Sequence, residues 1–388
     1  MKKMIKKLAG SLTAENRFIL AAARVNPDAG AVDAAARNVQ DWNGVYAVSK
    51  RQHLAGLVAS ASTASAFVPQ AIKDRLTAEW NSVRARNVIY LFEAREALTA
   101  LTAAGLNPIV LKGVALTETI YKDPGLRPFG DMDLLFPLPQ IDEAQRIVES
   151  IGYRASATPH NRQWYFEHYY HLPPFGVKRG SLSIELHWDL GRRPHPFDLD
   201  FPGIRARAVK FSVEGVDALM MGPEDMLCHL ALHSGWGNGF DGHIRSIVDI
   251  AEVARRGIDW ELLTRLVIEQ KLGPIVTPAL ELAAWLFEAP IPDAVFNKLE
   301  PHRGGRLCRW VVGIGQDRVL KGGTGHRTAM RLLWLENNHD RVTLLRENFG
   351  SVENPQNDRR EGKNSLARLV IGVRRALVPL LGSFSKRD

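Results

Sequence analysis

Residues Ile109–Phe136, IVLKGVALTETIYKDPGLRPFGDMDLLF, decide how this chain is read. The apolar run Ile109–Leu111 is too short for a helix and reads as a strand. Lys112-Gly113 turns that strand into a short helix, and a Pro/Gly-rich loop follows. A second apolar strand then carries Asp131 and Asp133. Side chains at i and i+2 of a strand leave from the same face, so the two carboxylates stand side by side. Like charges held that close call for a cation or a raised pKa.

Upstream, a long helical pattern runs from about Pro69 to Ala104, with Leu91, Ala94, Leu98 and Leu101 at helical spacing and Gly105 placed as its stop. Before it, the alanine-rich stretch from Ser11 to about Ser60 predicts short helices. Asn26-Pro27-Asp28 and Trp42-Asn43-Gly44 read as turns, and Ser60–Ser65 as a small-residue loop.

Downstream, Ile141–Ile151 has helical periodicity, and Gly152-Tyr153 starts another strand. His168–Phe175 (HYYHLPPF) is extended or a loop, limited by its prolines. Ser181–Trp188 alternates, with Leu182, Ile184, Leu186 and Trp188 on one face and Ser183, Glu185 and His187 on the other. Strand grammar ends near Val213. After Gly222, Pro223-Glu224-Asp225 is a good first helical turn. Met226–His233, His243–Arg256, Trp260–Gln270 and Pro274–Phe287 are the helices that follow. Ser365–Leu381 is an amphipathic tail that packs on the body more readily than on a membrane. The expected fold class is α+β: a small mixed-sheet core flanked by N-terminal and C-terminal helical regions. The expected units are 1–90, 91–215 and 216–388.

Hydrophobic content of 45% and charged content of 24% suit a soluble globular protein. Two cysteines, Cys228 and Cys308, cannot form a disulfide framework and fit a reducing compartment. With no apolar run long enough for a signal peptide or a membrane span, a cytoplasmic location is expected. The net charge of +8 and pI near 9.5 admit nucleic acid, anionic lipid or a polyphosphate as partner. Aromatics do not interleave with the basic runs, so nucleic acid is the less favoured partner.

Glu185 lies on the polar face of its strand. If that strand neighbours the one bearing Asp131 and Asp133, three carboxylates converge. Hard oxygen donors without cysteine suit Mg²⁺ or Mn²⁺ rather than zinc. Gly113 ends one strand and opens a helix, where backbone N–H groups receive phosphate oxygens beside the Lys112 charge. A phosphate cradle facing a metal carboxylate set is the hardware for attack on a nucleotide phosphorus.

These residues resemble the DNA polymerase β-like nucleotidyltransferase superfamily. More closely, Leu111-Lys112-Gly113, Arg127 with Gly130-Asp131-Met132-Asp133-Leu134-Leu135, HLPPF at His171 and Glu185-Leu186-His187-Trp188 resemble a bacterial branch of it. Pro223–Ser234 (PEDMLCHLALHS) and Ile244–Trp260 resemble that branch's helical half. Its members often occur in biosynthetic clusters, including those for lasso peptides and polysaccharides. The resemblance implies a cytoplasmic, Mg²⁺-dependent enzyme that moves a nucleoside monophosphate from an NTP, ATP foremost, to a hydroxyl, phosphate or amine of a small-molecule or peptide acceptor. Asp131 and Asp133 would hold metal, with Glu185 as third carboxylate and aligner of the attacking group. Lys112 and Gly113 would bind the triphosphate. Where the superfamily has Gly-Ser, this chain has Gly113-Val114, and Lys112 or Arg127 would supply the missing contact. That departure also keeps open a catalytically silent nucleotide-binding scaffold, and the basic surface a toxin-like enzyme acting on tRNA or protein.

Other residues have plainer roles open to them. Arg127 either organises phosphate or pairs with Asp131 or Asp133. Of His168, His171 and His187, His187 shares the face of Glu185. His229 and His233, at i and i+4, share a helix side, but HLALH lacks a zinc protease's adjacent glutamate, so with His171 and His187 they are candidates for the substrate cleft. Asp249 is expected to pair with Arg245. Gly322–His326 lacks the phosphate-loop pattern and reads as a turn.

Overall fold

The computed structural model describes residues 12–177, 181–240 and 244–306, with short pieces between 308 and 344. Gly322–His326 and the amphipathic tail lie outside the described residues.

The N-terminal region folds as short helices whose starts are set by side-chain caps. Thr13, Asp28 and Asp41 accept backbone N–H bonds at the starts of α1 (Ala14–Ala22), α2 (Ala29–Ala36) and α3 (Trp42–Arg51). Trp42-Asn43-Gly44 is therefore the first turn of a helix rather than a loop, because Asp41 caps it. Likewise Ser60–Ser62 completes α4 (Ala55–Ser62), where the Ser62 hydroxyl donates to the Val58 carbonyl at 2.6 Å. Small residues here allow close helix packing, and only Thr63–Ser65 of the expected loop lies past the helix end.

The long helix α5 (Gln70–Ala103) runs on through residue 90 and ends at Gly105, whose φ of +80° suits a glycine stop. One half packs on α3 and α4 and the other on the sheet side against α7 (Ile141–Ser150). Between them, β1 (Ile109–Val110) leads into α6 (Lys112–Leu116), which continues as a π-helical turn to Tyr121, and then into β2 (Asp131–Leu135).

After α7 come β3 (Arg154–Ala155), α8 (Arg162–His168), β4 (Phe175–Gly176), β5 (Ser183–His187) and α9 (Phe201–Ala206). A hairpin follows, β6 (Val209–Val213) and β7 (Val216–Met220), turned by Glu214-Gly215 with both φ positive. The sheet thus extends past Val213, where the strand pattern had been expected to stop. The seven strands lie in the order β3-β4-β5-β2-β1-β7-β6. β2 runs parallel to β5 and β1 parallel to β7, while β1 and β2 are antiparallel, so the sheet is mixed.

One sheet face is apolar: Met132, Leu134, Ile184 and Leu186 are fully buried, each contributing roughly 1.5–3 kcal/mol by burial. α10 (Pro223–Leu232) opens the helical C-terminal region, followed by α11 (Ile244–Ala254), α12 (Trp260–Glu269), α13 (Gly273–Phe287) and α14 (Asp293–Leu299). One hydrophobic core runs through the N-terminal helices, the sheet and the C-terminal helices. The fold class is α+β, a small mixed sheet flanked by helical regions. Both cysteines are buried and free, and no helix among the described residues is long and apolar enough to cross a membrane.

Candidate active site

The parallel pairing of β2 with β5 sets Asp131 opposite Ser183, Asp133 opposite Glu185 and Leu135 opposite His187. Because both strands alternate, their polar faces coincide. Carboxylate oxygens of Asp131, Asp133 and Glu185 lie within 4.8 Å of one another. Asp131 sits exposed at the start of β2, whereas Asp133 is buried.

Asp133 is the hub. Its Oδ2 accepts from Lys112 Nζ at 2.7 Å, and its Oδ1 lies 3.2 Å from His187 Nε2. His187 Nε2 is also 3.3 Å from Glu185 Oε2. Burial opposes the Asp133 charge, but Lys112 and His187 outweigh it and hold this carboxyl well below the usual range. The Asp133 charge, with burial second, raises the pKa of Asp131. Burial likewise opposes the Lys112 and His187 charges, yet the carboxylates raise both, His187 to about 9. For His171, burial and the His187 charge push the pKa down to about 4. His168 stays apart, hydrogen-bonded to the Trp164 carbonyl.

Lys112 has a φ of +35°, uncommon for a side chain of its size, and it opens a helix of only five residues. A Cβ on Gly113 would stand 3.1 Å from Phe129 Cβ and 3.5 Å from Arg127 Nη1, so a bare backbone keeps that wall open.

Arg127 pairs with neither Asp131 nor Asp133. Its Nε and Nη2 donate to Asp249 at 2.9 and 2.8 Å, and Tyr121 Oη donates to the same carboxylate at 2.6 Å. Arg245, expected as that partner, instead donates to the Pro128 carbonyl at 2.7 Å. Two arginines thus lie beside one buried carboxylate, and burial and then Arg127 lower the pKa of Arg245 to about 10.

A cavity of about 550 Å³ opens beside Asp131 and Gly113. Its walls include Arg127, Arg245 and Lys112 from the core side, and Lys50, Arg86 and Tyr90 from α3 and α5. Lys50 is ion-paired with Glu79. The N-terminal wall had no sequence signature, because its residues are isolated charges on separate helices. It is held in place at the Pro/Gly loop. Asn87 Nδ2 donates to the Pro124 and Arg127 carbonyls at 2.6 and 2.8 Å, and a Cβ on Gly56 would sit 2.2 Å from the Gly125 carbonyl oxygen.

His233 lines this cavity and His229 lies buried behind it. Neither belongs to a metal-like cluster among the described residues. Neither His229 nitrogen has a hydrogen-bond partner there. Burial, with the Lys112 charge second, lowers the His229 pKa from 6.5 to about 3. The unfolded chain therefore takes up a proton below pH 6.5 that the folded chain refuses, and stability falls as pH drops toward 3. His229 alone should remove about 2 kcal/mol between pH 7 and 5. Urea unfolding of the wild type and His229→Leu at both pH values checks this. Equal losses in the two proteins would show that His229 does not set the slope.

Residues 38–288 match the model of a family described as uncharacterised nucleotidyltransferase. No curated protein and no solved structure matches the chain. The match covers the N-terminal cavity wall, the sheet with its carboxylate face, and the helices through α13. The chain belongs to this family of uncharacterised nucleotidyltransferases.

Proposed function

We propose that the chain is a metal-dependent nucleotidyltransferase that moves a nucleoside monophosphate from an NTP, ATP foremost, to a hydroxyl, phosphate or amine of a small-molecule or peptide acceptor. The observation that carries this is the convergence of Asp131, Asp133 and Glu185 at the lip of a basic cavity. Three hard oxygen donors fit Mg²⁺ or Mn²⁺, and Lys112 Nζ, 2.7 Å from Asp133 Oδ2, shows that the cluster favours positive charge. Bound there, the metal would neutralise phosphate charge and polarise the α-phosphorus.

The protein's own residues supply the rest. Lys112, Arg127 and Arg245 face the cavity and bind phosphate oxygens, with Gly113 leaving them room. Glu185 aligns the acceptor and takes its proton as the acceptor atom bonds to the α-phosphorus. The bond to the β-phosphate breaks and pyrophosphate leaves. His171, His187 and His233 shape the acceptor side, with His229 behind them. The nucleotidyltransferase core at 91–215, between helical units 1–90 and 216–388, remains part of this proposal, as do a cytoplasmic setting and tailoring of lasso peptides or other natural products.

Labelled ATP with Mg²⁺ and a panel of acceptors tests the reading. Transfer should fall more than about 100-fold in Asp131→Ala while its circular dichroism and melting stay close to wild type. Undiminished transfer would sink the assignment. Two observations favour a second reading, a nucleotide-binding scaffold without turnover. Lys112 Nζ already sits on Asp133 at 2.7 Å, and Val114 stands where the superfamily has serine. Calorimetry showing tight Mg-ATP binding with no transfer would favour that reading.

A further inference from the structure

We propose a second divalent-ion site, made by His171, Glu185 and His187, that takes a nitrogen-preferring transition ion of the zinc or cobalt kind. Glu185 belongs to both clusters. The inference therefore deepens the nucleotidyltransferase reading and rests on it for the site's role in the reaction, though not for its existence.

Backbone pairing builds the site. His171 forms an antiparallel bridge with His187, which places the two rings side by side with centroids 4.7 Å apart. Alternation along β5 puts Glu185 on the same face as His187. One donor atom from each of the three residues falls within 4.8 Å of the others. Glu185 Oε2 is the common neighbour, 3.4 Å from His171 Nε2 and 3.3 Å from His187 Nε2. Both imidazoles are buried, and the Tyr170 ring packs against each.

The hydrogen-bond chemistry points to a cation. His171 Nδ1 donates to the Leu172 carbonyl at 2.6 Å. In the neutral imidazole that leaves the Nε2 lone pair facing a carboxylate oxygen, acceptor against acceptor. A metal ion between Nε2 and Oε2 resolves that conflict. The Leu172 carbonyl is the outer partner that ligating histidines usually have, fixing tautomer and ring plane. Two imidazole nitrogens and one carboxylate suit Zn²⁺ or Co²⁺, whereas Mg²⁺ and Mn²⁺ prefer oxygen. Asp133 Oδ1, 3.2 Å from His187 Nε2, stands by as a further oxygen donor.

The test uses the full chain stripped by a chelator and titrated with Co²⁺ in excess Mg²⁺, read by visible absorption. The expected result is saturable Co²⁺ bands that excess Mg²⁺ does not remove and that Zn²⁺ displaces. His171→Gln and His187→Gln should weaken Co²⁺ binding by more than about 100-fold, beyond the loss of an outer-shell partner. His168→Ala, outside the cluster, should bind as wild type does. Should either glutamine variant fail to fold, anomalous scattering from wild-type crystals soaked in Zn²⁺ should place the ion between His171, Glu185 and His187. Absence of Co²⁺ bands, binding unchanged in both glutamine variants, or an anomalous peak elsewhere would overturn the site. Transfer with Mg²⁺ alone and no Co²⁺ binding removes this site and leaves the nucleotidyltransferase reading. Co²⁺ binding without transfer does the reverse.

Discussion

Asp133→Asn should abolish nucleotidyl transfer and destabilise the protein by about 3–5 kcal/mol, the usual result of removing one partner from a buried ion pair. The side chain is 2 % exposed and receives both Lys112 Nζ and His187 Nε2. An amide of the same shape keeps the volume but removes the charge that faces Lys112 and His187. Lys112 has no easy retreat, because its backbone already stands at positive φ and its side chain is mostly buried. Asp131 gives the contrast. It is exposed, and its neighbour's charge disfavours its ionised form, so neutralising it should leave stability unchanged or slightly raised. Urea unfolding of both variants beside the transfer assay separates the two roles. An Asp133→Asn protein within about 0.5 kcal/mol of wild type would mean that Lys112 and His187 find other partners.

Asp249→Ala should cost a similar amount, about 3–5 kcal/mol. Its carboxylate accepts two bonds from Arg127 and one from Tyr121, and both Arg127 and Asp249 are almost fully buried. Without it, Arg127 loses both its acceptor oxygens and the nearby Arg245 charge loses the opposing Asp249 charge. Replacing the pair together, Arg127→Met with Asp249→Leu, should recover most of the stability, because a buried ion pair's attraction is largely offset by its desolvation. Transfer should stay low in the double variant, since Arg127 also lines the cavity. Urea midpoints for the single and double variants check the first expectation and labelled ATP the second. A double variant as unstable as Asp249→Ala would show that the pair itself holds the loop against α11.

Much of the core was legible because strand alternation and helix periodicity are local. The pairing of Asp131 with Asp133 on one face, the polar face of Glu185 and His187, and the α5 stop at Gly105 all follow from spacing alone. Capping is less legible locally: Trp42-Asn43-Gly44 carries turn-forming residues, yet the Asp41 side chain caps it as a helix start. The partner of Arg127 is hidden from the sequence for a different reason. The nearest acids in sequence, Asp131 and Asp133, were the natural candidates, but the fold brings Asp249 from a helix more than a hundred residues away.

By itself the sequence determined which residues share a strand face, where the long helices run, and the order of the motifs. Periodicity carries that information within a few residues of backbone. Only the tertiary structure decided that β2 and β5 pair in parallel with Asp133 beside Glu185. It alone brought His171 against His187, and closed the cavity with Lys50 and Arg86 from the N-terminal helices. Register and long-range ion pairs depend on how distant elements pack, and no local spacing encodes them.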